Sequence, residues 1–357
     1  MDKINLMKSK TYIENLKLIS QSLNFIDDLK NKSFFITGCN GLICSALVDL
    51  LIFLNKTNNL ELKIFLATRN KEKTELRFDS SNKDFIKLIN YDALKKLDFS
   101  ENVNFFIHGA SNATPSEYSK NPVETLMANV YGIQQILENA KNKKNRVLYI
   151  SSSEVYGKLE NQIESIKENQ HGYVDILSSR SCYPVGKQAS ETLCASYNAE
   201  YGLDFVIVRP GHIYGPTASR NDNRVSSQFM YDALNGKNII MKSNGEQLRS
   251  YTHCLDCATA ILTVLVKGKS GEAYNIANPD SICSIQEMAK RISELGHVKL
   301  EFDIPSELEA KNFNPMKNST LNSEKLKSLG WFPSFSLDDG FSKSMSVLKD
   351  VLDFNAF

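Results

Sequence analysis

Residues 33–67 leave this chain the least freedom. A short apolar run, Ser33-Phe34-Phe35-Ile36-Thr37, leads at once into Gly38-Cys39-Asn40-Gly41. An apolar stretch at 41–54 and a second short apolar run at 62–67 follow. Short apolar runs bounded by turn residues read as buried strands, and the longer run between them reads as the crossover helix of a parallel βαβ unit. Glycine is required where the chain turns tightly from strand to helix. Bare backbone N–H groups at that positive helix end are arranged to meet a pyrophosphate. A Gly-x-x-Gly string recurs by chance, so the weight lies in its position, closing a strand and opening a helix. Cys44 stands where the usual pattern has a third glycine, which predicts slightly wider helix–strand spacing. Gly38, Asn40, Gly41, Leu42 and Ile43 remain as the phosphate-facing segment.

The alternation continues, with strands expected near 85–89, 103–108, 146–151 and 205–208. One long helix starts at Pro122, a good first-turn residue, and carries Val123, Leu126, Met127, Val130, Ile133, Ile136 and Leu137 at helical spacing. A second is expected over 182–201. After Arg209 the regularity is lost: a Gly/Pro/Asn-rich loop at 215–223, short helices, and a hairpin expected around 244–251. A chain of 357 residues exceeds the roughly 250–300 residues at which single cores stop growing. The expected fold class is therefore α/β: a Rossmann doubly wound parallel sheet with a smaller C-terminal α/β substrate domain. The expected boundaries are a helical extension at 1–30, the Rossmann domain at 31–210 and the substrate domain at 211–357, with some chain exchange between the last two.

Composition excludes several classes. Lys plus Arg number 42 against 41 Asp plus Glu, so no broad field exists to hold nucleic acid or an anionic membrane, and an anionic ligand must be met locally. The apolar runs at 47–54 and 258–266 are far shorter than the ~20 residues of a membrane-spanning helix. With no apolar leader in the first ten residues, the expectation is a soluble cytoplasmic protein. Seven cysteines, an odd number, read as reduced, buried thiols. Cys254 and Cys257 form one CxxC without a second pair or nearby histidines, which favours core packing over zinc, and no metal is expected.

At the end of the second strand the chain carries Thr68-Arg69-Asn70. NAD sites usually place an acid there for the ribose hydroxyls, whereas Arg69 suits a 2′-phosphate, so both NAD and NADP stay open. Asp92, after the third strand, reads either as an acceptor for the adenine amino group or as a helix N-cap. Ser151-Ser152-Ser153-Glu154-Val155-Tyr156-Gly157 closes the strand at 146–151, and Tyr183-Pro184-Val185-Gly186-Lys187 opens the next helix. Tyr183 and Lys187 are four residues apart and share a helix face. An ammonium there, beside a cationic nicotinamide, is expected to lower the tyrosine pKa from ~10 toward neutrality. Ser152 is placed to hydrogen-bond the same substrate oxygen.

The glycine turn, the serine-rich strand end and Tyr-x-x-x-Lys, in this order, resemble the extended short-chain dehydrogenase/reductases, the superfamily of nucleotide-sugar epimerases, dehydratases and decarboxylases. Residues 110–118 (Ala-Ser-Asn-Ala-Thr-Pro-Ser-Glu-Tyr), Asn121-Pro122-Val123, Ser153 through Gly157, Arg180 through Lys187 and Asn223-Arg224-Val225 are most similar to the UDP-glucuronate decarboxylase group. The resemblance covers residue 30 to the C-terminus. It implies that Ser152, Glu154, Tyr183 and Lys187 carry the chemistry and that Ala110 lies on the cofactor. It further implies that Ser111, Tyr118, Ser153, Arg224 and Arg249 face a nucleotide-sugar, UDP-linked by preference. It also implies a homodimer built on the helices at 122–141 and 181–201. The chain departs from the family in having Gly211-His212-Ile213 where Phe-Asn-Thr is usual, so His212 replaces a substrate-side asparagine.

The implied activity is a redox-neutral cycle through a 4-keto sugar. It ends in decarboxylation of a uronic acid or, alternatively, in 4,6-dehydration or 4-epimerisation. A non-catalytic NAD(P)-binding protein and a dedicated NADPH-consuming reductase are the rivals from other classes.

Overall fold

The computed structural model describes residues 5–78, 80–141, 143–159, 164–304 and 317–352. The first four residues of the expected N-terminal extension lie outside the described residues. The large sheet is built from β1 (Ser33–Thr37), β2 (Lys63–Thr68), β3 (Ile86–Asn90), β4 (Phe105–His108), β5 (Arg146–Ile150) and β6 (Asp204–Pro210). A seventh strand comes from far along the chain. After β7 (His212–Tyr214), β8 (Ile239–Met241) and β9 (Leu248–His253), β10 (Glu272–Ile276) returns to pair with β6. The order is β10-β6-β5-β4-β1-β2-β3, and every pairing is parallel. The strand order reverses between β1 and β4, the point at which open α/β sheets open a crevice at their carboxyl ends.

The helices are α1 (Lys10–Ser20), α2 (Leu42–Asn58), α3 (Lys71–Phe78), α4 (Pro115–Lys120), α5 (Pro122–Ala140), α6 (Cys182–Tyr201), α7 (Val225–Leu234), α8 (Cys254–Lys267) and α9 (Ile285–Gly296), with a C-terminal helix at Leu337–Val351. Helices α2 and α8 cover one sheet face, and α1 packs behind them. Helices α5 and α6 cover the other, closely enough that a Cβ on Gly186 would sit 3.2 Å from that of Asn129. Strand β10 and helix α8 therefore belong to the Rossmann layers although they follow residue 211. Their apolar faces find the large sheet because a parallel sheet must be covered on both sides.

The hairpin expected around 244–251 does not form. Strand β9 is instead the hub of a small mixed sheet, antiparallel to β11 (Ile282–Ser284) and parallel to β7 and to β13 (Asn318–Ser319). Strand β8 turns away to pair in parallel with β12 (Leu300–Phe302). The turn residues Ser243, Asn244 and Gly245 reverse the chain without pairing its two arms, because β9 is buried on partners distant in sequence. All seven cysteines are free and buried, and Cys254 and Cys257 point into the core formed with α2. Among the described residues no helix is long and apolar enough to cross a membrane.

Candidate active site

The site grows from strand ends. Gly38 ends β1 with φ +70, and a Cβ there would lie 2.7 Å from the backbone of Gly109 at the end of β4, so only glycine fits. Cys44, in the place of the third glycine, is housed by that same neighbour: its Sγ lies 2.4 Å from where a Gly109 side chain would begin. Room for the sulphur comes from Gly109 on the adjacent strand, which is how this chain accommodates the departure from the glycine pattern.

A cavity of about 310 Å³ opens over this turn, lined by the ends of β1, β2, β3 and β4. Gly38, Asn40, Gly41, Arg69, Asp92, Ala110 and Ser111 all border it. Leu42 and Ile43 lie behind the turn, packed in the core. Asp92 caps no helix; its Oδ1 accepts from the Leu94 N–H at 3.1 Å in a turn, and it pairs with Lys95 at 3.7 Å. The Asn40 Oδ1 and Ser111 Oγ atoms are buried without a partner. Unpaired polar atoms around a glycine turn at the sheet's switch point fit the phosphates and sugars of a dinucleotide.

Tyr183 and Lys187 lie on one face of α6, both buried. The Lys187 Nζ donates to the Ile150 carbonyl at 2.8 Å and sits 4.8 Å from the Tyr149 ring centroid. Tyr183 stacks on Tyr118 with centroids 5.4 Å apart and has Ser152 near enough to its hydroxyl to pull its pKa down; the Ser152 Oγ accepts from the Glu154 N–H at 3.2 Å. Ser153 is buried one residue further on.

The expected lowering of the tyrosine pKa is reversed by the protein's own groups. Burial pushes the Tyr183 phenol up to about 12, against a smaller opposing pull from Ser152. Burial likewise brings the Lys187 ammonium down to about 7. Desolvation, invisible in sequence spacing, is the largest influence on both groups because both are buried.

Lys187 therefore carries a stability signature. Its folded pKa is depressed below the unfolded value of ~10.4, so the penalty it imposes is full below pH 7 and fades as pH rises through the window between the two values. The Lys187→Met variant should melt higher than the parent at pH 7, with the gap closing toward pH 10. A gap independent of pH, followed by calorimetry, would contradict this.

Glu154 is gripped at both oxygens by Arg180, which donates from Nη1 at 3.0 Å and Nη2 at 3.2 Å. The same guanidinium reaches the Tyr118 hydroxyl at 3.4 Å. Sequence reasoning assigns Arg180 no role; its position three residues before Tyr183 was the available signal. On the far side, His212 is half-buried with its Nδ1 atom buried and unpartnered, and desolvation first, then Arg249 and Arg224, hold its pKa down near 3, leaving a neutral ring. Arg249 is 3% exposed, donates to the Leu248 carbonyl at 2.8 Å, and has no ion pair among the described residues. Arg224 pairs with Asp222. Ser152, Glu154 and Arg224 act electrostatically on Tyr183, and Arg224 and Arg249 on His212. A buried arginine with no ion pair among the described residues is chemically suited to an anion.

Residues 34–277 match the model of the NAD dependent epimerase/dehydratase family. The chain is 30% identical to UDP-glucuronic acid decarboxylase 1 of Xenopus tropicalis over 94% of its own length and 76% of that protein. It is 31% identical to UDP-glucuronic acid decarboxylase 6 of Arabidopsis thaliana over 87% of its own length and 89% of that protein. Its fold matches the dTDP-glucose 4,6-dehydratase DesIV of Streptomyces venezuelae, solved with NAD bound, with a TM-score of 0.75 at 20% identity, covering 89% of this chain and 97% of that one.

Proposed function

The chain belongs to the NAD dependent epimerase/dehydratase family, and from that premise we propose that it decarboxylates a nucleotide-linked uronic acid, UDP-glucuronate by preference, through a 4-keto sugar. The observation that carries this reading is the engagement of Glu154. Among the described residues, it is a carboxylate whose charge acts on Tyr183, and both its oxygens are held by Arg180. Dehydration needs a base for the C5 proton and an acid for the departing C6 hydroxyl. Here that carboxylate is committed, and its neighbour is Ser153 rather than an acid. Loss of CO₂ needs neither group.

Gly38, Asn40, Gly41 and Ala110 are placed to hold the cofactor, with Lys187 at its nicotinamide end. When bound, the nicotinamide supplies acceptance of the C4 hydride and its later return. Tyr183 takes the C4 hydroxyl proton while Ser152 holds the same oxygen. With a ketone at C4, the C5–C6 bond breaks, CO₂ leaves, and its electron pair becomes a C4–C5 enolate. Tyr183 and Ser152 hold the enolate oxygen by hydrogen bonds. A new proton, taken up from water, is then added at C5 in the place of the lost CO₂, and the ketone is reduced to a pentose as hydride returns to C4 and Tyr183 gives its proton back to the C4 oxygen. Arg224, Arg249 and neutral His212 form the diphosphate end. Glu154 orients the sugar from its ion pair with Arg180, the role in which a carboxylate fixed at both oxygens acts best.

Incubation of the NAD-loaded chain with a panel of nucleotide-sugars, read by mass spectrometry, tests the reading. A uronic acid should lose the mass of CO₂. If uronic acids are inert while a neutral hexose loses water or isomerises, decarboxylation is the wrong assignment.

The same reading includes a cytoplasmic homodimer through α5 and α6, where Val123 and Tyr131 are exposed at 75% and 45%. Light scattering should report twice the chain mass at micromolar concentration. A monomer there refutes the dimer.

A further inference from the structure

The adenosine end of the cavity is cationic where an NAD-selective site is acidic. Its wall at the end of β2 consists of Thr68, Arg69 and Asn70, joined by Lys73 from the first turn of α3. No carboxylate borders the cavity from either element; its two acidic residues, Asp92 and Glu124, come from beyond β3 and from α5. Arg69 and Lys73 are both exposed, and neither side chain has a hydrogen bond or ion pair among the described residues. A third cation of α3, Arg77, is fully engaged by Asp49 on the core side of the helix.

The two free cations are held in register with the glycine turn. The Asn40 Nδ2 donates to the Thr74 Oγ1 at 2.7 Å and to the Thr68 Oγ1 at 3.3 Å, fastening the turn to β2 and α3 together. The Asn70 Oδ1 accepts from the Lys73 N–H at 2.8 Å, fixing the first turn of α3 immediately after Arg69. The span from the pyrophosphate-facing backbone to both cations is thereby set by these hydrogen bonds, while the charged ends stay free for a ligand.

A carboxylate at this strand end accepts from the ribose hydroxyls and repels a 2′-phosphate; an arginine fork does the opposite. We propose that this pocket selects the 2′-phosphorylated dinucleotide, so that the chain binds NADP(H) more tightly than NAD(H), with Arg69 and Lys73 as the specificity-determining residues. The adenosine 2′-phosphate carries no redox function, and selection for it leaves the sugar chemistry unchanged. The inference rests on the family's dinucleotide site and is independent of which nucleotide-sugar is turned over.

Calorimetric titration of the full chain with NADP⁺ and NAD⁺ tests it without any turnover. NADP⁺ should bind at least roughly tenfold tighter, the worth of one charge-assisted hydrogen bond. The advantage should shrink as salt rises, since both cations are exposed. Arg69→Ala and Lys73→Ala should each narrow the ratio and together abolish it by weakening NADP⁺ alone. Equal affinity for the two dinucleotides, no binding of either, or a preference that survives both substitutions would overturn the assignment. Inertness of every sugar, with the NADP⁺ preference intact, would instead count against the decarboxylase reading alone.

Discussion

Replacing Tyr183 by phenylalanine should lower turnover at least ~10²-fold, the usual worth of a positioned proton-transfer group, while the variant folds and binds dinucleotide like the parent. The ring is buried and stacked on Tyr118, and phenylalanine preserves that packing. The hydroxyl alone is lost, and with it the group on which Ser152 acts. Because burial holds the phenol near 12, the protein's own groups do not make Tyr183 a base at neutral pH. Its activation has to come from charge brought in beside it, and deleting the oxygen removes the group on which that charge acts. Product formation by mass spectrometry, thermal melting and calorimetry read the three properties separately. Turnover near the parent's, with a normal melt, would remove Tyr183 from the proton-transfer role.

The second large effect is on stability. Asp49 on α2 is 0% exposed, accepts from the Tyr12 hydroxyl of α1 at 2.7 Å, and holds the guanidinium of Arg77 on α3, with Nη1 at 3.0 Å. It joins the N-terminal helix, the helix of the glycine turn and the helix of the ribose end. Asp49→Ala strands Arg77, whose side chain is 13% exposed, as a largely desolvated unpaired cation, for which a loss of up to about 3–5 kcal/mol is expected. Tyr12→Phe, which removes one hydrogen bond and leaves the ion pair, should cost only ~1 kcal/mol. Urea unfolding measures both, and Asp49→Leu combined with Arg77→Met should recover most of the loss. A midpoint for Asp49→Ala equal to the parent's would show that the pair contributes nothing.

What the sequence by itself determined is local. The strand, glycine turn and helix at residues 33–58 could be read because periodicity and turn chemistry act over a few residues, and helices α5 and α6 could be read for the same reason. The placing of Tyr183 and Lys187 on one face follows from helical spacing alone. Ser152 and Glu154 follow from standing at the end of a strand.

The tertiary structure decided everything that depends on residues far apart in the chain or on burial. Strand β10 joins the large sheet from 62 positions beyond the end of β6 at Pro210 to its own start at Glu272, and β9 pairs with three strands where a hairpin was expected. Neither contact leaves a local pattern. The grip of Arg180 on Glu154 spans 26 residues and that of Arg77 on Asp49 spans 28, and ion pairs at such separations are set by where the backbone brings two side chains. The direction of the Tyr183 shift was decided the same way. Spacing reports the neighbouring ammonium, but only the packed fold determines how much water both groups lose, and desolvation is the largest influence on both.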